Sequence, residues 1–296
     1  MRSKNTGARK ALETVIHLIF LLCGIVAVGF VLVISVYLII SGLPAIRQIG
    51  LFKFLFGQVW DPTNTTTGAQ YGILPFILTS IYGTAGAMVI GVPIGLMTAI
   101  FLAKLAPPRA AAVIRTAVQL LAGIPSVVYG LVGMIVLVPL IRTTFSLGSG
   151  ACLLAAILVL SIMVLPSIIN VSETALRAVP REYEEASLAL GATKTETVMK
   201  VSVHAASSGI ASAVVMGIGR AIGEAMAVMM VSGNVANMPG LFTSVRFLTT
   251  AVASEMSYAA DGSLQKMALF SIGLVLFLFI MMINVFLNLV LKREKE

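Results

Sequence analysis

Six long apolar stretches constrain this chain more than any other feature. They run over about 15–41, 74–103, 111–140, 151–170, 207–232 and 267–291. About 20 apolar residues cross the hydrocarbon of a bilayer as a helix, because lipid cannot satisfy exposed backbone N–H and C=O groups. Composition agrees: 11% of the residues are charged, against about 25% in a soluble domain. The expected fold class is all-α integral membrane, with six transmembrane helices. The first run is too long for a signal-peptide core and no small-residue cleavage site follows it, so it reads as a retained helix. One membrane domain over 15–291 then lies between short tails at 1–14 and 292–296.

A formal net charge of +8 raises nucleic acid as a partner, and the placement of the charges excludes it. The basic residues sit in short stretches between apolar runs and at the termini. With the N-terminus inside, fourteen of the twenty fall in inside segments. Five fall outside (Arg47, Lys53, Arg142, Arg246 and Lys266), and Arg220 falls within a span. That excess places both termini and the segment 171–206 in the cytoplasm of a multi-pass protein. The outside segment 42–73 carries Phe52, Phe54, Phe56 and Trp60, which suits a helix lying at the outer interface.

Site chemistry is sparse. Cys23 and Cys152 lie inside apolar runs without metal or disulfide spacing, and His17 and His204 have no partner motif. No cofactor or metal is expected. No GxxxxGK[ST] occurs, so any ATP hydrolysis belongs to another polypeptide. Lacking a nucleophile or metal constellation, the chain is not expected to be an enzyme.

The segment 171–206 is the markedly charged one. Within it, Pro180 can open a helix, Glu182, Glu184 and Glu185 favour its first turns, and Gly191 can end it with a left-handed backbone. A second short helix follows over about 193–203. Glu185, Ala186 and Ser187, then three residues and Gly191, resemble the EAA motif of ABC-importer permeases. That resemblance implies that Glu182, Glu185, Ala186 and Gly191 couple the chain to an ATPase subunit through helices at about 180–203. His204 stands where the motif has proline, which implies a second helix running more directly into the next span.

Two further stretches carry polar groups into apolar surroundings. In the fifth run, Arg220 lies about 20 Å from the near end, at 1.5 Å per residue, and so near mid-bilayer. On a continuous helix Glu224 would sit one turn further along nearly the same face. A centred Arg costs a few kcal/mol, so two readings are open: a structural ion pair, or an anion site in which the guanidinium fork meets oxyanion oxygens. Gly217, Gly219 and Gly223 would let helices or a ligand approach closely. In the third run, Pro125 removes a backbone donor and frees a carbonyl upstream. Ser126 and Tyr129, three apart, can hydrogen-bond in a pore or pack against neighbours. Pro93 in the second run raises the same expectation of a kink or break.

Trp60-Asp61-Pro62, Tyr71 to Ile77, Ala99 to Leu102, Leu121 to Gly130, Val179 to Gly191 and Gly219 to Asn234 together resemble the C-type permease subunit of phosphate-specific ABC importers, over about residues 50–290. The resemblance implies the type I ABC-importer permease fold and a location in the cell inner membrane. It also implies partners: a second, A-type permease subunit, two ATP-binding subunits and a periplasmic phosphate-binding protein. The substrate pathway it implies comprises Arg220, Glu224, Ser126, Tyr129 and Asn234. Ala225 stands where the family commonly has threonine, so one hydroxyl beside Glu224 is missing. A permease for sulfate or molybdate is the alternative within this class. An ion-coupled secondary transporter is the alternative outside it, and such a protein needs no docking helix.

Overall fold

A computed structural model describes the backbone of residues 6–64 and 68–293. Residues 1–5, 65–67 and 294–296 lie outside the described residues, and with them Arg2, Lys4 and Lys295 of the charge count and part of the polar run after Trp60. Among the described residues, five helices are long and apolar enough to cross a membrane: Leu12–Ile49, Leu74–Leu105, Ser126–Thr144, Leu153–Arg177 and Leu264–Val285. A sixth is reached by joining Lys194–Ala205 to Ser207–Gly223 across a 69° bend.

Two of the expected spans differ from continuous helices. The third is a helix Pro108–Gly123, a break at Ile124-Pro125, and then Ser126–Thr144. The crossing helix therefore starts where the sequence places the middle of the run. The fifth run divides into Ser207–Gly223 and Met226–Val231, because Glu224 adopts an extended backbone with ψ 127°. Pro93, by contrast, does not break the second span, which stays helical from Leu74 to Ile100. A proline removes one ladder bond, and here the helix is held along its length by the fourth span. A Cβ at Gly91 would lie 2.7 Å from Val164 Cγ2, and one at Gly95 2.8 Å from Ile168 Cγ2. That close packing keeps the helix straight enough to continue.

The fourth span is the most enclosed, and the second span and Ser207–Gly223 pack against it. The first helix, Thr6–Ile49, has 44 residues, about 66 Å of rise, and its residues 12–40 are mostly exposed. It joins the body through the last span: Ser271 Oγ donates to the Gly42 carbonyl at 2.6 Å, and Tyr37 meets Phe270 edge-on at 5.5 Å.

The chain gathers two ends. One carries Lys104, Arg177 and the hairpin after the fourth span; the other carries residues 50–73 and 233–263. At the second end the expected interfacial helix is short, Leu51–Phe56, with Phe52 and Phe56 exposed and Phe54 buried. Trp60 is buried. It sits in a two-residue antiparallel pairing, Trp60–Asp61 with Gln70–Tyr71, and is buried against Tyr71 and Phe76.

Candidate functional site: two broken spans and a hairpin

The third and fifth spans are each broken once. The half-helix after each break, Ser126–Val132 and Met226–Val231, packs on the other. A Cβ on Gly130 would come within 2.8 Å of the Ala227 Cα, so glycine is needed for the two backbones to approach this closely.

Each break exposes a carbonyl, and a hydroxyl takes it. Pro125 has no N–H for the carbonyl of Leu121, four residues earlier. The Tyr129 hydroxyl donates to that oxygen at 2.8 Å, so Tyr129 stitches the break it follows. At the second break the Thr249 hydroxyl donates to the Glu224 carbonyl at 2.8 Å. Glu224 also uses its side chain there, accepting from the Ala227 backbone N–H at 3.0 Å. It caps the second half-helix.

This corrects the expected geometry of Arg220 and Glu224. The helix ends at Gly223, so Glu224 does not sit one turn above Arg220 on a common face. No ion pair joins them. Arg220 is exposed near the end of the first half-helix. Of the three glycines near it, Gly217 packs tightly on Ile168, while a Cβ at Gly219 or Gly223 would meet nothing within 4 Å. The face holding Arg220 is therefore open. Arg220 and Glu224 thus flank the second break, and Ser126 and Tyr129 lie on the half-helix that follows the first.

Asn234 lies apart from them, with φ 52°. Its carbonyl accepts from Arg246 Nε at 3.0 Å and Nη2 at 2.8 Å, and its Oδ1 is buried without a partner. Arg246 also pairs with Glu255, whose carboxylate accepts from Trp60 Nε1 at 3.1 Å and Gln265 Nε2 at 3.1 Å. Sequence reasoning missed this hub. The available signal was an acid, Glu255, at the end of a run of small and apolar residues.

The hairpin comprises helices Arg181–Ala189 and Lys194–Ala205. Pro180 stands one residue ahead of the first helix rather than within it. Gly191 has φ 86°, the left-handed conformation its position requires. Thr193 caps the second helix in a capping box with Glu196. Glu196 is held below the ordinary glutamate range by the Thr193 backbone and side-chain hydrogen bonds and by Lys200. The second helix joins the fifth span through Ala206 alone, but at 69°, so the connection past His204 is short and bent.

Glu182, Glu185, Ala186 and Gly191 are all exposed. Glu184, expected in the helix's first turns but not among the coupling residues, turns to the body and binds Lys104 and, at 2.8 Å, Ser202 Oγ. Helical spacing of about 100° per residue separates it from Glu185. Burial pushes the Glu184 carboxyl up, but the Lys104 and Ser202 hydrogen bonds with the charges of Lys104 and Arg181 outweigh it, so its pKa is lowered. Nearby, the buried Glu173 accepts from Arg115 at 2.7 Å and Arg177 at 2.9 Å. It ties the helix Pro108–Gly123 to the fourth span.

Comparison with known proteins places this arrangement. Residues 91–295 match the family described as binding-protein-dependent transport system inner membrane component. The chain is 39% identical over 269 residues to the probable ABC transporter permease protein YqgH of Bacillus subtilis, covering 88% of the chain and 86% of that protein. It is 35% identical over 284 residues to the phosphate transport system permease protein PstC of Haemophilus influenzae, covering 89% and 88%. The structure of a bacterial alginate ABC transporter superposes on 99% of both chains with a TM-score of 0.65 at 13% identity; that likeness is one of fold.

Proposed function

Because the chain belongs to the binding-protein-dependent transport system inner-membrane component family, we propose that it is the permease subunit through which an ABC importer moves inorganic phosphate across the cytoplasmic membrane. ATP hydrolysis resides on separate ATP-binding subunits. In this reading a second, A-type permease supplies the other half of the pathway, and a periplasmic phosphate-binding protein delivers the anion. Both termini and the hairpin face the cytoplasm. The exposed face of the hairpin, Glu182, Glu185 and Ala186 with the turn at Gly191, meets the ATPase.

The observation that carries the reading is Arg220. It is a guanidinium at mid-span, on an open face, with no carboxylate partner among the described residues. A fixed positive charge in a membrane without an internal counter-ion invites an anion. The planar fork fits the paired oxygens of phosphate, and of sulfate or molybdate on the same geometry. The phosphate permeases among the relatives support the first.

The test is uptake by the whole complex, with its binding protein, in proteoliposomes. Arg220→Met breaks no internal ion pair, so the complex should assemble. Uptake should fall by about a hundredfold or more, since two charge-assisted hydrogen bonds are together worth about 3 kcal/mol or more. Arg220→Lys should also fail substantially, keeping the charge but not the fork. Uptake near wild type in Arg220→Met would return the residue to a structural role, and competition by sulfate or molybdate rather than phosphate would replace the substrate.

A further inference from the structure

The second break has no proline. Nothing in the local sequence Gly223-Glu224-Ala225-Met226 forbids a continuous helix, and alanine and glutamate favour one. The Glu224 carboxylate caps the second half-helix locally, and a contact from outside the span acts on the Glu224 carbonyl as well.

The short helix Leu248–Glu255 supplies that contact. Its first turn is fixed by hydroxyls: the Leu248 N–H donates to Ser80 Oγ on the second span at 3.1 Å, and the Phe247 N–H donates to Thr250 Oγ1 at 3.0 Å. Its last residue, Glu255, is held by Trp60, Arg246 and Gln265. Between these anchors the Thr249 side chain, 9% exposed, reaches the Glu224 carbonyl at 2.8 Å. In a continuous helix that carbonyl would accept from the N–H of Val228. Thr249 occupies it instead, while the Glu224 carboxylate takes the Ala227 N–H.

We propose that Thr249 is a positioning residue for the Arg220 site: its hydroxyl holds the Glu224 carbonyl out of the helix and keeps the fifth span broken just beyond Arg220. It need not touch the transported anion. Without its hydroxyl, the carbonyl is free to resume the ladder, Glu224 rotates onto the helix, and its carboxylate becomes a counter-ion to Arg220 that competes with the anion. The inference rests on the reading of Arg220 as the anion's partner, and its test carries an arm independent of that reading.

Uptake by the whole complex in proteoliposomes is compared for wild type, Thr249→Ser and Thr249→Val. Thr249→Ser keeps the donor and should transport like wild type. Thr249→Val keeps the shape without the donor, and its maximal uptake rate should fall by about tenfold, the size expected from losing one hydrogen bond that favours the broken span over the continuous one. Should Thr249→Val not assemble, Thr249→Ala replaces it. Wild-type transport by the variant lacking the hydroxyl overturns the proposal, as does equal loss in Thr249→Ser.

The second arm needs no substrate. With Cys23 and Cys152 replaced by Ala, Ala225→Cys is labelled with a charged methanethiosulfonate. Its rate should be the same beside Thr and Ser at 249 and differ about fivefold beside Val. Equal rates in all three overturn the proposal. Rates that split the variants, in a complex whose wild type moves no phosphate, would sink the phosphate reading and leave Thr249 in place.

Discussion

The two breaks look alike and are made differently. At Ile124-Pro125 the cause is covalent: proline lacks the donor, and Tyr129, four residues on, donates to the Leu121 carbonyl, which also accepts from the Ile124 N–H at 3.3 Å. Break and repair lie within nine consecutive residues. At Glu224-Ala225 the chain has every donor it needs, and two groups compete with the ladder: the local Glu224 carboxylate, which accepts from Ala227, and Thr249, 25 residues away, which takes the Glu224 carbonyl. A locally encoded break is rigid under changes of its surroundings. A break held by tertiary contacts opens or closes with them, and it is this second one that adjoins Arg220.

That contrast can be broken at several points. The largest effect belongs to Arg220→Met, whose loss of uptake tests what the second break displays. Next comes Pro125→Leu, which restores the missing donor. The Leu121 carbonyl should return to the ladder, and amide hydrogen exchange over residues 121–129 should slow. Uptake should fall about tenfold, as for one shifted hydrogen bond; unchanged exchange would mean that the break is not proline's doing. Tyr129→Phe should cost less, about 1 kcal/mol or about fivefold in uptake, with the break retained because Pro125 is still there. Were Tyr129→Phe as damaging as Pro125→Leu, the hydroxyl would have a role beyond stitching.

The smallest effect lies outside both breaks, at the hairpin. The lowered pKa of Glu184 means that its tether to Lys104 and Ser202 contributes fully above the ordinary glutamate value. The contribution is lost as pH falls through the lowered folded value. An environment-sensitive dye on Met199→Cys should report loosening only in acid for wild type, and already at neutral pH for Glu184→Gln. A Glu184→Gln hairpin that titrates like wild type would remove Glu184 from the tether.

Much of the membrane architecture was legible in the sequence, for a plain reason. Hydrocarbon imposes length and apolarity on each span separately, so each can be read without knowledge of its neighbours. The hairpin was legible likewise, since Gly191 and Thr193 act on their own backbone. The helix before the third crossing and the bend at Ala206 were less so, because boundaries depend on what packs alongside.

At the site, the sequence by itself determined that a guanidinium, Arg220, falls within the fifth apolar run and that Pro125 falls within the third. Only the tertiary structure decided that Glu224 caps a half-helix instead of pairing with Arg220, that Trp60 is buried on Glu255, and that Glu184 rather than Glu185 faces the body. Each of these depends on a partner distant in sequence: Thr249 for Glu224, Glu255 for Trp60, Lys104 for Glu184. A carbonyl or carboxylate with two possible donors goes to whichever one packing brings within about 3 Å, and helical periodicity carries no information about a donor on another helix.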